Sequence, residues 1–183
     1  VSFTGSERVG RVLGAAAGGS LKHISLELGG KSPNIIFADA DITAAATAAA
    51  VTAYFYSGQV CFSGSRLMVE RSVLDEVMEI VQQYAQALVI GPGLDRASTM
   101  GPLASALHRD KVEQYLDSVS STQASVPFGG SRIAGEGYFL QPTAVVGAAD
   151  SDSVVTDEIF GPVLSVQAFD SVEELLPRLN SAH

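Results

Sequence analysis

A chain of 183 residues with 46% hydrophobic and 17% charged side chains has the apolar content for one sizeable core and is not a disordered segment. Its net charge of −9 argues against a nucleic-acid surface, and no apolar run reaches the roughly 18 residues of a membrane-spanning helix. The one cysteine, Cys61, excludes an internal disulfide, and no residue spacing fits a metal site, so a reducing, cytoplasmic compartment is expected.

Short β-branched runs alternate with helical patterns, which predicts an α/β fold. Position 1 is Val, and Val1 to Thr4 already reads as a strand in mid-fold; Gly5-Ser6 then turns into a helix from about Glu7 to Ala17. Strands are predicted at His23–Leu28 and Asn34–Phe37, separated by Gly29-Gly30 and Pro33. An alanine-rich helix follows from Asp41, its N-cap, to about Tyr56. Leu67–Glu70 reads as a strand. Ser72 is expected to cap a helix whose apolar positions Val73, Val77, Val81, Tyr84 and Leu88 recur three or four residues apart. A Gly/Pro-rich loop, Ile90–Pro102, leads to a helix over about Ser105–Ser118, and short strands are predicted near Ser125–Phe128, Tyr138–Leu140 and Val163–Phe169. The segment from Gly129-Gly130 to Gly137 reads as a turn-rich excursion. A helical pattern from Val172 to His183 has no Gly or Pro stop, and with the internal-looking start it gives the expectation of a piece of a longer protein.

Four runs carry chemistry. Cys61 lies in Gly58-Gln59-Val60-Cys61-Phe62-Ser63-Gly64-Ser65-Arg66. A lone cysteine is most often a small buried hydrophobe. Here glycines and serines surround it, and as a nucleophile it would need local positive potential or oriented N–H groups; Arg66 is one source of field. On spacing alone the two readings stand even. In Leu26-Glu27-Leu28-Gly29-Gly30-Lys31-Ser32-Pro33, alternation sets Ile24, Leu26 and Leu28 against His23, Ser25 and Glu27. A solvated strand carboxylate is the default for Glu27, but the glycines after it allow close approach, and a strand-end glutamate can act as a general base. Gly5-Ser6-x-x-Val9-Gly10 places a helix start after a strand, where free N–H groups favour an anion, although it lacks the GxGxxG spacing. Asp157-Glu158-Ile159-Phe160-Gly161-Pro162-Val163 could hold a ribose and wall off a ring, or be a plain acidic loop. His108, Arg109 and Lys111 read as a solvated basic face, and His23, His108 and His183 suit neither a metal nor a Ser-His pair.

Taken together, these runs resemble the aldehyde dehydrogenase superfamily, in order and at intervals of 34 residues from Glu27 to Cys61 and 97 from Cys61 to Glu158. The resemblance spans the whole chain. It implies the end of a Rossmann-type NAD(P)-binding domain over 1–28, followed by an α/β catalytic domain over 29–183, incomplete at both ends. It also implies a mechanism: Cys61 attacks an aldehyde to form a thiohemiacetal, NAD or NADP takes up hydride, and Glu27 activates the water that hydrolyses the thioester. Gly5, Ser6, Val9 and Leu28 would line the cofactor, Glu158 would hold the nicotinamide ribose with Phe160 beside the ring, and Lys111 would approach that ribose. The family's oxyanion asparagine and adenosine-ribose residues would lie upstream, so these 183 residues alone are expected to be inactive, within a parent that is a homodimer or homotetramer. Two departures stand out: Tyr56-Ser57 where the family usually has an asparagine before the cysteine, and Asp157 for the commoner glutamate. Two other readings remain open: a member that passes the acyl group to coenzyme A, against which Glu27 counts, and a non-catalytic module that kept the fold.

Overall fold

In the computed structural model, which describes residues 1–180, the chain divides after Gly30 into two compact units. The first unit is a β–α–β crossover: β1 (Ser2–Gly5), α1 (Glu7–Gly19) and β2 (Ser25–Leu28), with β1 and β2 parallel and Thr4 opposite Glu27. The pleat does what the alternation predicts. Phe3, Leu26 and Leu28 are half-buried, while Thr4 and Glu27 are exposed on the other face. Gly10 allows α1 to close on this sheet, since a Cβ there would come within 2.6 Å of the Leu28 side chain.

The second unit is built on a five-stranded sheet in the order β3 (Pro33–Ile36), β4 (Arg66–Glu70), β7 (Val163–Phe169), β6 (Thr143–Val146) and β5 (Ser125–Phe128). The first four strands are parallel, and β5 runs antiparallel to β6. Strands β4 and β7 are buried on both faces, which explains their near-continuous apolar runs. Leu67, Val69, Leu164 and Val166 pack with α2 (Ile42–Tyr54) and α3 (Leu74–Ala87). On the other face Val145 and Val163 pack with α4 (Ala106–Val119) and α5 (Ser153–Thr156), and Met68 and Phe169 with Leu175 of α6 (Val172–Leu179). The alanines of α2 serve packing: Ala46, Ala49, Ala50 and Ala53 are all fully buried.

Asp41 caps α2 as expected, accepting the Ala44 N–H at 3.0 Å, and Ser105 caps α4. Other expectations need correction. Ser72 is not the cap of α3; its hydroxyl bonds to Glu70, and a 3₁₀ turn over Arg71–Val73 precedes the helix. Tyr138–Leu140 forms no strand, only a single bridge between Arg132 and Leu140. Strand β6 and the one-turn α5 have no counterpart among the predicted elements. The C-terminal helix closes at Leu179 with Asn180 as its C-cap and carries Pro177 inside. The rest of the pattern drawn to His183, and His183 itself, lies outside the described residues.

Candidate functional site

In the first unit, Glu27 sits exposed on β2, one residue short of the strand's end. At the C-terminal end of β1 the backbone passes through Gly5 and Ser6 into α1. Ser6 occupies the N-cap position but its side chain makes no capping bond. The first-turn N–H groups therefore keep their positive potential for an outside acceptor. Val9 and Leu28 are both half-buried. A strand end, a glycine and an uncapped helix start fit a dinucleotide phosphate.

In the second unit, the chemistry-bearing loops share one edge of the sheet. Lys31 and Ser32 lead into β3, Cys61–Ser65 into β4, and Asp157–Pro162 into β7, and these three parallel strands are neighbours. All three loops therefore lie at strand N-termini. The common arrangement for open parallel sheets is the opposite, with ligands at the C-terminal ends.

The cysteine loop is anchored on both sides of an exposed thiol. Tyr56, Ser57 and Gly58 run in succession through the left-handed region, at φ of 48°, 58° and 69°. Ser57, buried, donates its hydroxyl to the Gly101 carbonyl at 2.8 Å. Gln59 ties the loop to the same segment: its Nε2 donates to the Pro102 carbonyl and its Oε1 accepts the Ala104 N–H at 2.9 Å. Beyond Cys61 the chain turns through Ser63 N–H to Val60 carbonyl, and Ser65 joins β7 by accepting the Ser165 N–H at 2.9 Å. The exposure of Cys61 removes the buried-hydrophobe reading. The Arg66 guanidinium is buried and engaged elsewhere, with Nε donating to Gln167 at 3.3 Å and Nη2 3.9 Å from Asp150. Burial lowers the Arg66 pKa, opposed by Asp150.

The acidic loop is held by α4. Tyr115 donates to one Asp157 oxygen at 3.1 Å, and Thr156 donates to the other at 2.7 Å. Burial, then the Asp157 charge and hydrogen bond, push the Tyr115 phenol up to about 12, so it remains the donor. Glu158 is half-buried, with Oε1 enclosed and without a hydrogen-bond partner among the described residues. Phe160 has a left-handed backbone at φ 60° and a partly exposed ring. An acidic side chain with bonding capacity to spare, next to an accessible aromatic face, fits a ribose and its attached ring.

The expectation of a basic solvated face on α4 holds for Lys111 alone. Lys111 is exposed, its ammonium 5.9 Å from the centre of the Tyr115 ring. Arg109 is half-buried, 5.7 Å from the Tyr138 ring, and His108 reaches the acidic loop. Sequence reasoning also missed Lys31. Its side chain is 5% exposed and Nζ has no hydrogen-bond partner among the described residues. Burial lowers its pKa to about 7, opposed by Asp157 and Glu158 and assisted by Arg66. A buried lysine leaves no trace in periodicity; only its place inside the Gly29-Gly30-Lys31 run marked it.

The Aldehyde dehydrogenase family model matches residues 1–183. Betaine aldehyde dehydrogenase of Rhizobium etli is 40% identical over 185 residues, and that of Bacillus subtilis 39% identical over 184. The match takes in 100% and 98% of this chain, which spans 38% of the length of either relative. Among solved structures, betaine aldehyde dehydrogenase from Staphylococcus aureus in complex with NAD+ aligns with all of the chain at 36% identity, with a TM-score of 0.94, over 37% of its own length. An NAD-dependent aldehyde dehydrogenase from Sinorhizobium meliloti does so at 39% identity and a TM-score of 0.96, over 36% of its length. With the glutamate, cysteine and acidic-loop runs following one another in that order along it, the chain belongs to the aldehyde dehydrogenase family.

Proposed function

We propose that this chain supplies the covalent and ribose-holding residues for oxidation of an aldehyde to a carboxylic acid. The observation that carries the reading is Cys61: an exposed thiol on a loop fixed at both ends, in a family whose reaction needs a nucleophile. As thiolate, Cys61 attacks the carbonyl carbon and forms a thiohemiacetal, and the Cys61 backbone N–H helps to hold its oxyanion. Collapse of the thiohemiacetal oxyanion would expel hydride from that carbon, and NAD+, the nucleotide bound in the Staphylococcus aureus structure, would accept it, leaving a thioester on Cys61. The resulting thioester stays on Cys61 until water attacks it. Glu27 removes the proton from that water, the C–S bond breaks, and the acid leaves with Cys61 regenerated as thiolate.

Gly5, Ser6 and the first turn of α1 bind the phosphates, with Val9 and Leu28 against the nucleotide. Glu158 takes the nicotinamide ribose hydroxyls, Phe160 borders the ring, and Lys111 approaches the same ribose. The glutamate base favours water over a thiol as the acyl acceptor. Betaine aldehyde is the first aldehyde to test, since the relatives carry its name. In a full-length subunit carrying these residues, Glu27→Gln should give a burst of one NADH per site, a trapped acyl group on Cys61 by mass spectrometry, and turnover reduced at least a hundredfold. Normal turnover by Glu27→Gln removes Glu27 from this role.

A further inference from the structure

The acidic loop is strained, and one stripe of α4 restrains it. An aromatic residue in the left-handed region is strained and persists only where its surroundings over-determine it. At Phe160 those surroundings come from residues 108, 112 and 115, which share one helix face. His108 Nε2 lies 2.6 Å from the Phe160 carbonyl oxygen, and the two rings meet edge-on at 6.0 Å. Because a carbonyl only accepts, the imidazole carries its proton on Nε2 and donates. One turn on, Val112 presses against Gly161, where a Cβ would come within 2.7 Å. Tyr115 then anchors Asp157. His108 is itself fixed, since its backbone N–H caps on Ser105 at 3.1 Å.

We propose that His108 is a positioning residue for the cofactor: by donating Nε2–H to the Phe160 carbonyl it holds Phe160 in its left-handed conformation and so sets the ring beside the nicotinamide. This rests on the reading of Phe160 as the ring's neighbour. His108 touches neither reacting atom; it acts through the Phe160 backbone, and an uncharged donor of similar reach can replace it.

The test uses a full-length subunit carrying these residues and NAD+ as the probe. The NAD+ dissociation constant is measured by titration calorimetry, together with KM and kcat. His108→Leu, which keeps volume but has no donor, should raise Kd and KM for NAD+ about tenfold while the KM for aldehyde stays within twofold. His108→Gln, whose amide can reach the same carbonyl, should recover Kd to within about threefold of the parent. In a Phe160→Gly background, where ring and strain are both gone, adding His108→Leu should change Kd less than twofold. Unchanged NAD+ affinity in His108→Leu overturns the proposal, and so does a tenfold loss that persists in the Phe160→Gly background. Both leave the reading of Phe160 intact. Phe160→Gly with parental NAD+ affinity overturns that reading, and the proposal with it. Should His108→Leu not fold, the comparison of His108→Gln with His108→Ala decides in the same way.

Discussion

Gly58 lies so close to Gly161 that a Cβ added to it would stand 2.0 Å from the Gly161 carbonyl oxygen. The cysteine loop and the acidic loop thus meet backbone to backbone, with room for hydrogen only. Gly58 also has φ at 69°, so two independent constraints select glycine there.

Gly58→Ala should therefore destabilise the chain by about 3 kcal/mol or more, since the atom in the way belongs to the main chain and cannot rotate aside. Thermal unfolding by circular dichroism should show Tm lowered by roughly 10 °C. A fall of only one or two degrees would mean that the two loops separate easily.

Tyr56 occupies part of the dipeptide where the family usually carries asparagine. At φ 48° and ψ 36° its backbone is in the region that asparagine and glycine tolerate best. Its ring lies tilted against that of Phe55, centroids 4.1 Å apart, a contact that any smaller residue loses. Comparing small replacements isolates the backbone contribution. Tyr56→Gly and Tyr56→Asn should each be more stable than Tyr56→Ala by about 0.5–1 kcal/mol in urea unfolding. An alanine variant as stable as the glycine one would show that the left-handed turn stores no strain.

Lys31 should make stability depend on pH. Its folded pKa of about 7 lies below its ordinary 10.5, chiefly through burial, so between these values the unfolded chain holds a proton that the folded chain does not. Below pH 7 both states are protonated and the cost of burying the charge is fully present. Stability therefore rises as pH increases through 7 towards 10.5, by at most about 1.4 kcal/mol per pH unit. The groups facing the ammonium are Asp157 and Glu158, which favour the charge, and Arg66, which opposes it. Lys31→Met removes this titration. The stability of the parent relative to Lys31→Met should be flat below about pH 6 and climb from 7 to 9.5, titrations common to both chains cancelling. Parallel pH curves for the two proteins would place the Lys31 amine in solvent.

What could be read from residues alone was local. Strands β4 and β7 were legible because doubly buried strands are written as unbroken apolar runs, and α2 because Asp41 caps an alanine-rich stretch. Strand β6 was hidden by its shortness and by Pro142 and Gly147 on either side, which read as turn punctuation. Ser72 misled because a 3₁₀ turn satisfies the start of α3 without a hydroxyl cap. At the site, the motif glycines and Cys61 were visible, yet the struts that fix them were not. Gln59, His108 and Tyr115 act on partners more than 40 residues away, through contacts that no periodicity records. Arg66 shows the same limit in reverse: the last residue of the cysteine run in sequence, it is turned by the strand pleat towards Gln167 and Asp150.

Because the cysteine and acidic loops both hang from the N-terminal ends of adjacent strands, the sheet acts as their ruler. One ladder step of about 4.8 Å separates β4 from β7, whatever the chain does over the 97 residues from Cys61 to Glu158. Much of that interval is helix and surface excursion, where the segment 129–137 could lengthen without moving either loop. A single residue inserted between Ser65 and Arg66 is different in kind: it shifts the strand by half a pleat and exchanges its buried faces. Tolerance to change in this chain is thus set by distance from the sheet edge and not by distance along the sequence.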